Sequence, residues 1–269
     1  FQPAEEGPPP GEEGGAELMV KEGVLTNPDV DAIFGLHISS KSTAGQVLLK
    51  PGSIMAAVDE FRIDLTGVQT HGSTPWTGID PIVTASQMIN SIQTIVSRSM
   101  PLTTAAAVVT IGSIHGGVRS NIIPEKLYML GTIRTLDNSM RATVLKRLDK
   151  IVQNVAAANN VIADVTFMNS YPVTYNDPEL YEKMLPTLKR VCGADNVNYM
   201  DAITGAEDFS FFQKEVPGVY FFIGGSSEGM DLDKVAPHHT PDFYVDDSAL
   251  ETGVISMTSL TIDYFTKGL

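Results

Sequence analysis

The 269-residue sequence has few basic residues, one cysteine and no long apolar run. Its 18 Lys and Arg against 32 Asp and Glu give a net charge of −14, which argues against nucleic acid and anionic membranes as partners. Because Cys192 is the single cysteine of the sequence, an internal disulfide framework is excluded. No segment is apolar for long enough to span a bilayer, and a signal segment is not recognisable at the start. The composition favours a small molecule or a metal cation as partner, and the cytoplasm over export, while leaving the compartment open.

Helix and strand patterns alternate along the chain, and their order divides the sequence into three segments. Between residues 59 and 173 the order is strand, helix, strand, strand, helix, strand, which is typical of a ferredoxin-like βαββαβ domain. The flanking parts, 1–58 and 174–269, contain the buried strands DAIFGLHIS and GVYFFIGG, which suit a parallel sheet. We therefore predict an α/β fold, in which a parallel-type sheet with helices is interrupted by the middle domain.

Three helices are predicted in the flanking parts. The first covers Glu12 to Glu22 with Gly23 beyond its end, and the second runs from Asp177-Pro178 to Gly193. The last follows Asp246-Asp247, and its expected buried stripe consists of Leu250, Val254, Met257, Leu260 and Tyr264.

The opening stretch FQPAEEG places two carboxylates side by side, at Glu5 and Glu6. Ligands of open α/β sheets gather beyond the carboxyl ends of strands, where this pair and His37 are both expected. Carboxylate and imidazole are zinc ligands, and a carboxylate beside a ligand can serve as the base for an activated water. Two solvated acids on a loop remain an equally good interpretation of the spacing alone.

Two further motifs have competing interpretations. His238-His239 can be a metal site or an ordinary pair of loop histidines. Ser227 lies in a G-x-S-x-G pattern after the strand VYFFI, but a nucleophile elbow requires a helix directly after the turn. The residues that follow, MDLDKVAPHH, do not favour a helix, so a serine hydrolase acting through Ser227 is a remote alternative.

Several long motifs occur in one order along the chain: FQPAEE, GGAELMVKEG, FGLH, THGSTPWTGIDPI, RSNIIPEKLYMLGTIRT, TGAEDFSFF and HHTPDF. Together they resemble the di-metal aminoacylase and carboxypeptidase family, in its branch of hippurate hydrolases, N-acyl-amino-acid amidohydrolases and plant auxin-conjugate hydrolases. The resemblance covers nearly the whole chain. It implies a metal-dependent amidohydrolase that cleaves the amide bond of N-acyl amino acids or similar small conjugates.

The resemblance also implies roles for individual residues. Glu5 matches the general base, and Glu6, His37 and His239 match metal ligands for two divalent ions of zinc, manganese or cobalt. The middle domain resembles a lid and dimerisation domain. Its His71 matches a histidine that supports the oxyanion, with a turn histidine that caps a helix as the alternative. Asn121 matches a residue near the substrate. Arg134 is a candidate partner for a substrate carboxylate, although an ordinary strand-end arginine is the simpler interpretation. Glu207-Asp208 matches a stretch near the site, for which we expect a loop or supporting role.

Two expectations concern assembly and completeness. The apolar strand from Ala105 to Gly116 would be an exposed sheet edge, which favours a homodimer formed lid to lid. The resemblance further implies that His71 faces the Glu5 of the other subunit. Family members carry a Cys-Gly-His-Asp type segment upstream of FQPAEE that supplies further ligands, so the catalytic domain is expected to be incomplete at its N-terminus. A non-catalytic dimer with a binding or scaffolding role is therefore the alternative function.

Overall fold

The structure is a computed structural model that describes residues 2–9 and 11–267, apart from the side chain of Asn169. The helices are α1 (Gly15–Lys21), α2 (Pro81–Ser99), α3 (Asn138–Ala158), α4 (Pro178–Cys192), α5 (Ser210–Glu215) and α6 (Ser248–Thr266). The strands are β1 (Ile33–Thr43), β2 (Val47–Leu49), β3 (Gly52–Met55), β4 (Ala57–Thr66), β5 (Thr70–His71), β6 (Ala107–Gly116), β7 (Ile122–Ile123), β8 (Lys126–Thr135), β9 (Ile162–Tyr171), β10 (Thr174–Asn176), β11 (Val197–Tyr199) and β12 (Gly218–Ser226). Short 3₁₀ helices occupy Pro75–Thr77 and Ala194–Asn196. Within these described residues, no helix has the length and hydropathy needed to cross a membrane.

The chain divides into two compact units. We call residues 1–55, 174–203 and 207–269 the split unit, and residues 56–173 and 204–206 the inserted unit. The inserted unit begins at Ala56 instead of residue 59, because β4 starts at Ala57.

The inserted unit has one antiparallel sheet in the order β6-β8-β4-β9. Together with α2 and α3, this is the strand order of a ferredoxin-like fold. Strand β4 alternates buried and half-buried residues along its whole length, as a strand with one covered face should. Helix α2 begins at the predicted Asp80-Pro81, where the Asp80 carboxylate accepts hydrogen bonds from the N–H groups of Ile82 (2.8 Å) and Val83 (3.2 Å). β6 is an edge strand, as the sequence predicts.

The split unit contains a four-stranded sheet in the order β1-β12-β2-β11. β1 and β12 are parallel, β12 and β2 are antiparallel, and β2 and β11 are parallel, so the sheet is mixed. β12 is buried at every residue, which explains its continuous apolar sequence. His37 on β1 lies opposite Phe222 on β12, and this parallel pair brings the segments after both strands to one edge of the sheet.

Two helix predictions in the split unit need correction. Helix α1 begins at Gly15, three residues later than predicted, although Gly23 has the expected positive φ, +81°. The predicted stripe of α6 is wrong in its first half, because Leu250 and Val254 are 58% and 66% exposed. Small residues face the sheet instead: a Cβ on Gly253 would lie 3.2 Å from Ile223. Close approach of the helix to β12 therefore selects small side chains at these positions.

Candidate functional site

The segment that carries Glu5 and Glu6 is a tight turn before α1. Ala4 has φ 54°, in the left-handed region that few non-glycine residues adopt, and its carbonyl accepts a hydrogen bond from the Gly7 N–H at 3.1 Å. The turn leaves Glu5 half-buried and Glu6 exposed. The two adjacent carboxylates therefore face different surroundings.

Glu5 lies against two buried carboxylates from a distant part of the chain. Ligand atoms of Glu5, Glu207 and Asp208 all lie within 4.8 Å of one another, and Glu207 and Asp208 are only 5% and 2% exposed. The Tyr220 hydroxyl donates to Glu207 Oε2 at 2.6 Å, and the Asp208 carboxylate accepts from Gln2 Nε2 and from the Ala16 N–H. Glu207 and Asp208 thus accept hydrogen bonds from the protein itself, and the supporting role expected for them stays a prediction.

This environment perturbs the acidity of the cluster. Burial first, and then the negative charge of Glu207, raise the pKa of Glu5 to about 8. Burial also raises the pKa of Asp208, although hydrogen bonds from Ala16 and Gln2 act in the opposite direction. Burial likewise raises the pKa of the Tyr220 phenol, so Tyr220 stays a donor. A carboxylate with a pKa near neutrality can both accept and release a proton at neutral pH.

The tautomers of two neighbouring histidines follow from their hydrogen bonds. His37 Nδ1 lies 2.6 Å from the carbonyl oxygen of Ile38, which can only accept, so Nδ1 carries the hydrogen and Nε2 keeps a free lone pair. The rings of His37 and His238 are 5.2 Å apart between centroids. His238 Nε2 accepts from the Ser40 N–H at 3.3 Å, so its lone pair is already used. Burial, followed by the charges of His37 and His239, lowers the pKa of His238.

His239 faces the second carboxylate of the pair. Its backbone has φ 62°, which turns the chain between the two adjacent histidines. Its Nδ1 lies 3.7 Å from Glu6 Oε1, and both side chains are largely exposed. An imidazole and a carboxylate at this separation form the donor set that zinc and manganese accept in proteins.

The predicted site residues of the split unit thus fall into three neighbouring groups: Glu6 with His239, His37 with His238, and Glu5 with Glu207 and Asp208. Glu5 and His37 also line a cavity of about 650 Å³ whose walls are largely apolar. Among the described residues, the group of three possible ligands within 4.8 Å of one another is Glu5, Glu207 and Asp208, and it does not include Glu6, His37 or His239. The predicted ligand set stays a prediction.

The inserted unit holds its candidate residues at two ends of its sheet. His71 on β5 pairs with Ile122 on β7, and the Gly72 N–H donates to the carbonyl of Asn121 at 2.8 Å, so His71 and Asn121 are neighbours. His71 Nδ1 accepts from the Ser73 N–H at 3.0 Å. Neutral His71 therefore carries its hydrogen on Nε2 and presents a donor. Arg134 lies near the opposite end of β8, paired with Val58.

The comparisons with known proteins settle the family. The model of peptidase family M20/M25/M40 matches residues 1–263. The chain belongs to the M20 peptidase family. It is 36% identical over 268 residues to thermostable carboxypeptidase 2 of Saccharolobus solfataricus, covering 99% of this chain and 65% of that protein. It is also 36% identical to N-acetyldiaminopimelate deacetylase of Bacillus velezensis, covering 99% of this chain and 67% of the relative.

A solved M20 structure supports the fold assignment. It is a Bacillus subtilis protein described as a dinuclear metal-binding peptidase, and it matches with a TM-score of 0.74 at 28% identity. The match covers 97% of this chain and 63% of the other. The chain thus spans about two thirds of the length of the M20 proteins that it matches.

The M20 assignment agrees with the surroundings of Ser227. Its hydroxyl donates to Asp246 Oδ2 at 2.6 Å. After β12 the described chain continues through turns until α6 begins at Ser248, so the helix that a nucleophile elbow requires does not follow the serine. Ser227 therefore supports the loop before α6.

Sequence reasoning placed Glu207 and Asp208 in a supporting role but did not predict their contact with Glu5. They are separated from Glu5 by about 200 positions, and neither periodicity nor spacing connects segments so far apart. One signal was present: two acidic residues directly before the apolar run FSFF, which is an uncommon place for charge unless it has a partner.

Proposed function

We propose that this protein is a metal-dependent amidohydrolase that cleaves the amide bond of N-acyl amino acids or similar small conjugates. The observation that carries the proposal is geometric: Glu6 Oε1 lies 3.7 Å from His239 Nδ1, and the adjacent Glu5 lines one cavity with His37. Family membership adds support, because the relatives include enzymes named as deacetylases, carboxypeptidases and amidohydrolases.

Glu6, His37 and His239 would hold divalent metal, zinc or manganese or cobalt, and two ions are proposed by analogy with the dinuclear relative. His37 suits this role because its Nε2 lone pair is free, whereas that of His238 accepts from Ser40. A divalent metal, when bound, supplies a Lewis acid that polarises the amide carbonyl and makes water more acidic.

Glu5 would take the proton from the attacking water and return it to the leaving amine, which requires a pKa close to neutrality. His71 would donate its Nε2–H to the developing oxyanion, in agreement with the tautomer that Ser73 imposes. The apolar wall of the cavity beside Glu5 and His37 suits the apolar part of a small conjugate.

The geometry of the inserted unit supports a homodimer through that unit. Lys126 and Arg134 are separated by about 26 Å along β8, at roughly 3.3 Å per residue. His71 and Asn121 lie at the Lys126 end, so they cannot contact the same small substrate as the Arg134 of their own chain. We propose a homodimer joined through the inserted unit, in which His71 and Asn121 act in the partner subunit, and Arg134 is a candidate partner for a substrate carboxylate.

The main test is metal-dependent hydrolysis. The protein is stripped with chelator, zinc, manganese or cobalt is returned, and free amino acid is measured with hippurate and a panel of N-acetyl-amino acids. Glu5→Gln should keep metal affinity and lower kcat by about 100-fold or more. Glu6→Gln and His37→Ala should weaken metal binding instead. Glu12→Gln, an exposed acid of the same loop, is the matched control and should change neither quantity.

The same measurements decide against the proposal if they fail. A protein that retains no metal at micromolar free zinc, and releases no amino acid, would support the binding or scaffolding alternative. Equal metal loss in Glu5→Gln and Glu6→Gln would mean that both carboxylates are ligands and that the base lies elsewhere.

The adjacent histidines give a second test of the ligand assignment. His239→Ala should weaken zinc binding about tenfold or more, whereas His238→Ala should weaken it much less, because Ser40 occupies its Nε2. A titration of each metal-free variant with zinc compares the two directly. The reverse order would transfer the ligand role to His238.

Subunit exchange tests the dimer. His71→Ala and Glu5→Gln chains, each inactive alone, are mixed and allowed to exchange. If His71 acts across the dimer, one of the two sites in a mixed dimer is intact and part of the activity returns. Verified mixed dimers without activity would show that His71 serves its own subunit or none.

A further inference from the structure

Asp208 ties together the two ends of the segment that carries Glu5 and Glu6. Its side chain is 2% exposed. Gln2 Nε2 lies 2.7 Å from each of its carboxylate oxygens, and the Ala16 N–H donates to Oδ2 at 2.6 Å. Gln2 precedes the carboxylate pair and Ala16 follows it, so one buried side chain closes a loop of more than a dozen residues.

The backbone reinforces this closure. The Gly15 N–H donates to the Pro3 carbonyl at 2.9 Å, which joins the same two ends. Gly15 has φ +71°, and a Cβ there would lie 2.5 Å from Asp208 Oδ2. Glycine is thus required at this position both by the backbone conformation and by the space that the Asp208 carboxylate fills.

Gly11, in the same loop, provides the contrast. It also has a positive φ, +88°, but a Cβ built on it meets no atom within 4 Å. The two glycines therefore share the conformational requirement and differ in contact with Asp208.

We propose that Asp208 is a positioning residue, which fixes residues 2–9 and 11–16 of this loop so that Glu5 and Glu6 are held for proton transfer and metal binding. This inference rests on the proposed function. A base or ligand on a free loop samples many positions, and a displacement of about 1 Å can lower a reaction rate roughly 100-fold. Closing both ends of the loop on one buried carboxylate removes that freedom before substrate or metal arrives.

The experiment compares Asp208→Asn, Gln2→Ala and Gly15→Ala with Gly11→Ala as the matched control. Asparagine keeps the size of Asp208 but cannot accept from Gln2 and Ala16 together in the same geometry. Three quantities are measured: amide hydrogen exchange of residues 2–16 in the metal-free protein, the zinc dissociation constant, and kcat and KM separately. Exchange in α4 reports any general loss of stability.

We expect the first three variants to exchange about tenfold faster across the loop with α4 unchanged, to bind zinc about 10- to 100-fold more weakly, and to lose kcat with KM within about twofold. Gly11→Ala introduces the backbone strain without the clash with Asp208, so it should raise exchange only next to residue 11 and leave zinc affinity and kcat at the parent values. The proposal is overturned if the loop loosens while zinc affinity and kcat stay at parent values, or if loop and α4 exchange rise together with a proportional loss of activity.

The experiment distinguishes failure of the proposed function from failure of the role proposed for Asp208. A parent protein that binds zinc without hydrolysing any substrate contradicts the proposed function, yet the zinc affinities of the variants still decide the role of Asp208. If Asp208→Asn does not fold, Gln2→Ala decides, because Gln2 is exposed and its truncation leaves the core intact.

Discussion

Buried carboxylates of this protein have two kinds of surroundings, and Asp59 of the inserted unit and the Glu207–Asp208 pair of the split unit represent them. In the inserted unit, the carboxylate of Asp59 is 2% exposed and is met by the guanidinium of Arg141, with both oxygens within 2.8 Å of its nitrogens. In the split unit, Glu207 and Asp208 are equally buried, but the donors described above are neutral, and a third carboxylate, Glu5, lies beside them.

This difference separates a structural arrangement from a functional one. A buried charge with a counter-charge supports a fold, whereas clustered buried carboxylates that accept only from neutral donors are costly. This unfavourable free energy is retained where the carboxylates take part in a reaction. Acids with perturbed pKa values are therefore concentrated at active sites. The comparison supports the chemical role proposed for Glu5 and a structural role for the Asp59–Arg141 pair.

The largest effect expected is the loss of stability when a large buried side chain in the core of either unit is truncated. Phe61 in the inserted unit and Phe221 in the split unit are both 0% exposed, and replacing either with alanine should cost about 3–5 kcal/mol of unfolding free energy. Hydrogen exchange should accelerate in β4 and β8 for Phe61→Ala, and in β1 and β12 for Phe221→Ala. Acceleration of all four strands by both variants would show that the two units unfold as one.

The next effect concerns the charge pair of the inserted unit. Asp59→Asn leaves Arg141 without a full counter-charge and should cost about 2–3 kcal/mol, the usual range for a hydrogen-bonded charge. Zinc affinity should remain that of the parent, because the pair has a structural role. A change in zinc affinity comparable with that of Glu6→Gln would contradict the division of roles between the units.

The sequence predicts the inserted unit better than the split unit, for a physical reason. The strands and helices of the inserted unit are set by local patterns: the alternation in β4, the cap and proline at Asp80-Pro81, and helical spacing from Val144 to Val155. Its sheet has the strand order β6-β8-β4-β9, which is the order expected of a βαββαβ domain.

In the split unit, the bounds of the helices and the side chains that they bury depend on contacts between distant segments. The start of α1 is tied to Asp208, and the buried face of α6 is made of small and polar residues, including Gly253 and Asp263, that hydropathy does not identify. The chemistry of Glu5, Glu6 and His37 was inferred from residue type and motif order, but the contact of Glu5 with Glu207 required the fold.

A smaller effect is expected at the buried hydroxyl of the split unit. Tyr220→Phe removes the 2.6 Å hydrogen bond to Glu207 and should cost about 1–2 kcal/mol, because Glu207 keeps a longer contact from the Phe209 N–H. Activity should fall together with stability, since Glu207 contacts Glu5. Tyr181→Phe, in the same unit and outside the carboxylate cluster, is the control. A stable Tyr220→Phe protein with parent kcat would show that this hydroxyl is not needed for the site.

The smallest effect expected concerns acid stability, where one helix-start aspartate of each unit can be compared, Asp137 and Asp246. The Ser139 hydroxyl and the Met140 N–H lower the pKa of Asp137 before α3. The hydroxyls of Ser227 and Ser248 lower the pKa of Asp246 before α6 to about 2, from an ordinary value of 3.8. The pKa values of both carboxyl groups are lower in the folded state than in the unfolded state. Each group therefore adds stability that is fully present above its ordinary pKa. Each contribution is lost as pH falls through the folded value.

Acidification from about pH 5 to about pH 2 should therefore lower the urea midpoint of the parent more steeply than that of Asp246→Asn or Asp137→Asn. Hydrogen exchange assigns each loss to its unit: α6 for Asp246, α3 for Asp137. Ser227→Ala should flatten the acid response of α6 in the same direction, because it removes the 2.6 Å hydrogen bond to Asp246, while leaving hydrolysis at neutral pH unchanged. A Ser227→Ala protein with parent acid stability and full metal content but no turnover would reverse both conclusions, since the hydroxyl would then act on the substrate and not on Asp246.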